Sequence, residues 1–171
     1  MIDDEVRADV TAARELAATT AIESGVLDGV TWRVDAERAV GLDASWRSVD
    51  ALPAGVRDTL RIGRSDLLPV AAACRGTGSW APLLACVNAW CYAESGYGAW
   101  RTRRILDVPD LEVRLAAAVA TLDADGPVEA YYQLNNDGHL HGWGPALFTR
   151  FLDVADRRES GRALGLDPVL A

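Results

Sequence analysis

Apolar positions recur along this chain mostly at helical spacing, and the breaks between runs fall at glycine, proline, asparagine and aspartate. Val6, Val10, Ala13, Leu16 and Ala17 form a stripe behind Asp3 and Asp4, which predicts a capped helix ending near Ile22. Val30, Trp32 and Val34 alternate with Thr31 and Arg33, as in a short strand or extended segment, and Arg38 to Leu42 reads as a helical turn. From Trp46 the pattern sharpens. Asp50 predicts a helix through Leu60 with Pro53 in its first turn, and Ser65 predicts another through Cys74 with Pro69 as a kink. Gly76 to Ser79 reads as a turn. Trp80 to Tyr92 is almost entirely apolar, the mark of a central helix buried on all sides. Gly96-Tyr97-Gly98 predicts a break before helix resumes from Trp100 to Leu106. Pro109 opens an amphipathic helix to Leu122, with Leu111, Leu115, Val119 and Leu122 on one face. Asp125-Gly126-Pro127 turns the chain into a further helix over Val128 to Leu134.

Asn135-Asn136-Asp137-Gly138 then ends that helix with loop chemistry, and Leu140-His141-Gly142-Trp143-Gly144-Pro145 follows. Glycine permits positive φ and close backbone approach, and proline suits the first position of a helix. The apolar run from Ala146 to Leu152 supplies that helix, to about Asp156. The pattern predicts two helices joined by a tight hairpin at 138–146. The N–H groups at the start of the second helix have no partner of their own and carry partial positive charge, so they suit a phosphate. Leu140 is placed to anchor the hairpin in the core. The bland alternative is a plain turn between packed helices, because short glycine motifs are weak signals.

The expected architecture is an all-α compact bundle of about eight to ten short helices in a single domain, 1–171. No internal repeat or low-complexity tract interrupts it. Half of the residues are apolar and six are tryptophan, ample for a core. The net charge of −8 is the wrong sign for bulk affinity to DNA. The acid is concentrated, however: residues 1–60 carry −6 and residues 61–171 only −2. Residues 1–44 therefore read as an acidic N-terminal extension, and Arg101, Arg103 and Arg104 form the tightest basic cluster. Trp90, Tyr92, Tyr97 and Trp100 interleave with it, either as core aromatics or as a stacking surface beside phosphate-contacting arginines.

Other chemistry is sparse. Cys74, Cys86 and Cys91 follow no disulfide or zinc spacing, and with His139 and His141 they make a poor metal site, so no metal is expected. The odd thiol count points to a reducing compartment. Acidic Asp3, Asp4 and Glu5 behind Met1 do not resemble a secretory leader, and no apolar run is long enough for a membrane span; a cytoplasmic protein is expected. There is no phosphate loop, nucleophile elbow or dinucleotide fingerprint. Asp167, 23 positions after Gly144, stands before Pro168 as an ordinary helix cap would, but equally as a carboxylate available to activate water or stabilise an oxocarbenium ion.

The run from Gly142 to Leu152, followed by Ala163-Leu164-Gly165-Leu166-Asp167, resembles bacterial proteins of the 8-oxoguanine DNA glycosylase fold, in the helix-hairpin-helix glycosylase superfamily. The likeness spans roughly residues 45–170 and includes Trp46-Arg47, Leu52-Pro53, the start at Arg64, Ala89-Trp90 and Gly98 to Leu106. It implies a glycosylase-like core at 45–171, duplex DNA with a damaged or flipped base as partner, and base excision assisted by Asp167. The expected DNA-binding residues are Gly142, Trp143, Gly144, Ala146 and Arg150 at the hairpin and its helix, together with Arg101 from the basic cluster. No organic cofactor is implied, and the hairpin carbonyls could take a monovalent cation. One departure matters. Relatives that also cleave the sugar through a Schiff base carry lysine where this chain has Arg150, and the chain contains no lysine at all. Arginine stays protonated and cannot attack the sugar. The resemblance therefore implies a monofunctional glycosylase that uses water, with no lysine lyase activity. The alternative is a catalytically inactive glycosylase-fold module that binds DNA or a protein partner.

Overall fold

The computed structural model describes residues 39–156, which lie within the second of the two units into which the chain divides, Ala36–Ala171. The expected helix behind Asp3 and Asp4, the Val30–Val34 segment and Asp167 lie outside the described residues. The fold is all-α apart from one short pairing. Strand β1 (Val40–Gly41) lies antiparallel to β2 (Arg61–Ile62), with Val40 opposite Ile62. Among the described residues there are seven α-helices: α1 (Ala54–Thr59), α2 (Arg64–Thr77), α3 (Ala81–Tyr92), α4 (Gly96–Leu106), α5 (Leu111–Ala124), α6 (Pro127–Asn135) and α7 (Pro145–Ala155). A 3-10 turn, Ala44–Ser48, precedes them.

Helix α3 is the axis of the bundle. Every residue from Leu83 to Ala89 is fully buried, and α2, α4, α5 and α7 pack around it. Its N-terminus is capped from another helix. The Glu112 carboxylate of α5 accepts the Trp80 N–H (2.7 Å), the Ala81 N–H (3.0 Å) and the Ser79 hydroxyl (2.7 Å). A carboxylate there satisfies orphan donors and complements the helix dipole. Glu112→Ala is expected to lower stability by about 2 kcal/mol, the usual loss for charged hydrogen bonds to backbone, read from the shift of a urea-unfolding midpoint at unchanged slope.

Several local expectations are corrected by packing. Val40 and Gly41 are extended rather than part of a helical turn, because Val40 finds a strand partner in Ile62. Asp50 caps nothing: α1 begins only after Pro53, and Asp43 caps the 3-10 turn through the Ser45 N–H. Those hydrogen bonds from Ser45 hold the Asp43 carboxyl below its ordinary range. The helix expected behind Ser65 starts from Gly63, whose N–H is held by the Asp66 carboxylate at 2.7 Å, and runs on past Cys74 to Thr77 with Pro69 inside it. Gly78, at φ +77°, closes it.

The largest revision concerns Gly96-Tyr97-Gly98, which form the first turn of α4 and do not break it. A Cβ on Gly98 would lie 2.3 Å from Cβ of Tyr92 and 2.9 Å from the Trp46 ring. Glycine is there to let α4 approach the end of α3 closely, so the residue that suggests a break instead permits packing.

Candidate nucleic-acid interface

Helices α6 and α7 are joined by a hairpin that the chain folds in steps. Leaving α6, the Gly138 N–H returns to the Gln133 carbonyl (2.7 Å) and the His139 N–H to that of Asn136 (3.0 Å). Arg114 of α5 reaches across to the His139 carbonyl (2.6 Å). Leu140 is buried and anchors the loop. From Leu140 to Trp143 the backbone makes a turn closed by the Trp143 N–H on the Leu140 carbonyl (2.9 Å). Gly142 sits at its third position with φ +84°, which a type II turn requires and side chains resist. Gly144 then serves as the cap of α7, its carbonyl accepting the N–H groups of Leu147 and Phe148, and Pro145 opens the helix.

Trp143 faces inward. Its side chain is 1% exposed, packed edge-on against Phe148 and Phe151, and its indole N–H donates to Oδ1 of Asn88 (3.0 Å). Asn88 in turn donates to the Thr102 hydroxyl (3.1 Å), and all three side chains are buried. The Trp143 ring, expected as a DNA contact, is instead buried in the core: its indole N–H is held by Asn88 and its backbone N–H is used within the turn. Its role is to fasten the hairpin to α3 and α4. Asn88 and Thr102 escaped sequence reasoning, although Asn88 is the lone amide in the apolar run of α3 and a buried amide needs partners.

The outward side of the hairpin is different. Among the described residues, the N–H groups of Gly142, Gly144 and Ala146 meet no acceptor. They lie at the positive end of α7. Gly144 has an ordinary φ of −83°, and a Cβ built on it would meet nothing within 4 Å. The fold itself does not demand glycine there; its absence of a side chain keeps the amides open.

Arg101 of α4 completes the arrangement from 41 residues away. Its Nε donates to the Gly142 carbonyl, and its Nη1 donates to the Tyr97 hydroxyl (3.2 Å). Two residues singled out separately in the sequence are thus brought together. Arg57, Arg64, Arg75 and Arg114 each pair with a carboxylate. Arg101, Arg103, Arg104 and Arg150 pair with none among the described residues. Arg150 lies on α7 with its guanidinium 5.1 Å over the half-buried Trp90 ring, and its buried Nε has no partner. The structure thus leaves these arginines of α4 and α7 without a carboxylate partner among the described residues, and Arg101 stands at the hairpin itself.

Burial pushes the Cys86 thiol up to about 12 and the Cys91 thiol up to about 11, the latter despite the opposing Arg150 charge. His139 and His141 are exposed on the hairpin. Among the described residues no three His, Cys, Asp or Glu side chains gather as a metal site would need, and no helix is long and apolar enough to cross a membrane.

Comparison with known proteins gives one finding. No curated protein and no solved structure matches the chain. A protein family does, over residues 27–171, which takes in the whole described fold and the Asp167 segment. The agreement over that length places the chain in the family described as "Putative 8-oxoguanine DNA glycosylase OGG-like protein".

Proposed function

We propose that the chain binds duplex DNA through the 138–146 hairpin and removes a flipped, damaged base by hydrolysis, with Asp167 as the assisting carboxylate. The observation that carries the binding half is the set of open amides at Gly142, Gly144 and Ala146 beside the Arg101 guanidinium. Backbone amides at a helix N-terminus hold a phosphate oxygen without regard to sequence, so they position the duplex and do not choose the base. Arg101 supplies the positive charge at the hairpin carbonyl. A monovalent cation would have to share the Gly142 oxygen with that guanidinium, against repulsion of like charge. Arg150 adds a second cation on the same helix as the amides.

In the chemical half, a water oxygen bonds to the sugar carbon as the N-glycosidic bond breaks; the base leaves with that electron pair and takes up the proton that the water releases. Asp167 orients the water and offsets the positive charge that develops on the sugar. Damaged bases are preferred because they are cheapest to extrude from the stack. No step passes through a lysine Schiff base, since the chain lacks lysine.

Two measurements test this reading in sequence. Affinity for a duplex carrying an abasic-site analogue is expected to fall steeply with salt, as each neutralised phosphate releases counterions. Absence of binding at low salt removes the proposal. Excision is then assayed on a panel of lesion-bearing duplexes, where Asp167→Asn is expected to lower the rate by at least about 100-fold. Equal rates in both proteins remove Asp167 from the mechanism. The second reading, a module that binds DNA or a protein without chemistry, is favoured by arginine standing at position 150. It predicts salt-dependent binding with no excision of any lesion.

A further inference from the structure

Helix α4 carries a feature that phosphate binding does not use. Tyr97, Trp100, Arg101 and Arg104 fall at intervals of three and four residues, hence on one face of the helix. Tyr97 is 55% and Trp100 46% exposed, and they are the large exposed aromatics among the described residues. Their rings stack on each other, with centroids 5.5 Å apart and planes 30° from parallel. Each is also covered by a guanidinium: Arg101 lies 5.7 Å from the Tyr97 ring and Arg104 lies 5.2 Å from that of Trp100. The hydrophobic core does not need two large rings held in water, and a neighbouring face of α4 adds exposed Arg103.

We propose that this face of α4 is a ledge on which unpaired bases of a DNA strand stack while the adjoining phosphate sits at the hairpin. The inference rests on the DNA-binding reading above and names the kind of DNA preferred. Three arguments support it. The charge is complementary, since Arg101, Arg103 and Arg104 have no carboxylate partner among the described residues, in a chain of net charge −8. The ledge adjoins the hairpin directly, because Arg101 touches both Tyr97 and the Gly142 carbonyl. The chemistry also selects the partner: a paired duplex hides its base faces, whereas a gap or an extruded base presents one to an aromatic ring.

Arg104 occupies the ring face that a base would take, and the comparison of strengths favours the base. An exposed cation–π contact is weaker than stacking of a nucleobase on an aromatic side chain. Arg104 is exposed, so it can swing aside towards a phosphate, whereas Arg101 is held by the hairpin.

The test uses the full chain and two labelled duplexes of one sequence, one fully paired and one with three unpaired thymines facing a gap. Wild-type protein is expected to bind the gapped probe about tenfold more tightly. Trp100→Ala should abolish that preference while changing affinity for the paired probe less than twofold, and Trp100→Phe should retain most of it. Circular dichroism establishes that each variant is folded. A preference that survives Trp100→Ala, or no preference in the wild type, overturns the ledge. Gly144→Asp separates the two ideas. If it weakens both probes while Trp100→Ala weakens neither, the hairpin reading stands and the ledge falls. If Trp100→Ala removes gapped-probe binding while Gly144→Asp changes nothing, the ledge stands and the hairpin reading falls.

Discussion

Replacing Trp143 with alanine is expected to lower the stability of the described unit by about 4 kcal/mol, the usual scale for truncating a buried large aromatic. Two effects add. The indole leaves a cavity against Phe148 and Phe151. Its N–H also disappears, so Oδ1 of Asn88, fully buried, loses its donor. A domain has only about 5–15 kcal/mol to lose in total, so the variant should unfold at markedly lower urea concentration. Trp143→Phe separates the contributions: the ring volume is largely kept, the orphaned amide remains, and about 1–3 kcal/mol should be lost. Asn88→Ala leaves the indole N–H unpaired instead and should fall in the same range. Because the two side chains share one hydrogen bond, the Trp143→Phe, Asn88→Ala double variant should lose less than the sum of the single losses. A loss below about 1 kcal/mol for Trp143→Ala would contradict an indole anchored in the core.

Gly144→Asp is expected to weaken binding to duplex DNA by at least about tenfold while leaving the fold intact. The position has ordinary φ, and the space a Cβ would enter is empty. The new carboxylate can fold back onto the amides at the start of α7 as a helix cap, which stabilises the protein by itself. It also occupies the donors that a phosphate needs and repels that phosphate. Stability and binding should therefore move in opposite directions, a pattern that simple damage to the fold does not produce. Gly142→Asp is the less clean probe, since Gly142 has φ +84° and a side chain there meets the Arg101 guanidinium at 3.3 Å. Titration of a labelled duplex at low salt, alongside urea unfolding of the same preparations, gives both readouts. Unchanged affinity in a folded Gly144→Asp protein would remove the hairpin from the interface.

The helical bundle was legible where the hydrophobic period was long. The Trp80–Tyr92 run, the Leu111–Leu122 stripe and the two helices around the hairpin appear close to where their apolar spacing put them. Shorter signals failed at glycine, proline and caps. Gly98 permits close packing of α4 on Tyr92, and Asp50 lost its helix to Pro53. At Gly98 a contact distant in sequence, with the Trp46 ring, outweighed a weak local preference, whereas at Asp50 the neighbouring proline set the start of the helix.

For the candidate site the division is sharper. Residue order by itself determined the hairpin, the proline-led helix after it, the absence of lysine chemistry and the family likeness, because each depends on residues close together or on composition. Tertiary structure alone decided which way Trp143 points, that Arg101 meets Gly142, and that the Gly144 amide stays open. Those outcomes depend on where α3 and α4 lie against the hairpin. Burial of an aromatic ring and satisfaction of Asn88 fixed that placement, and neither is written in the spacing of any one segment.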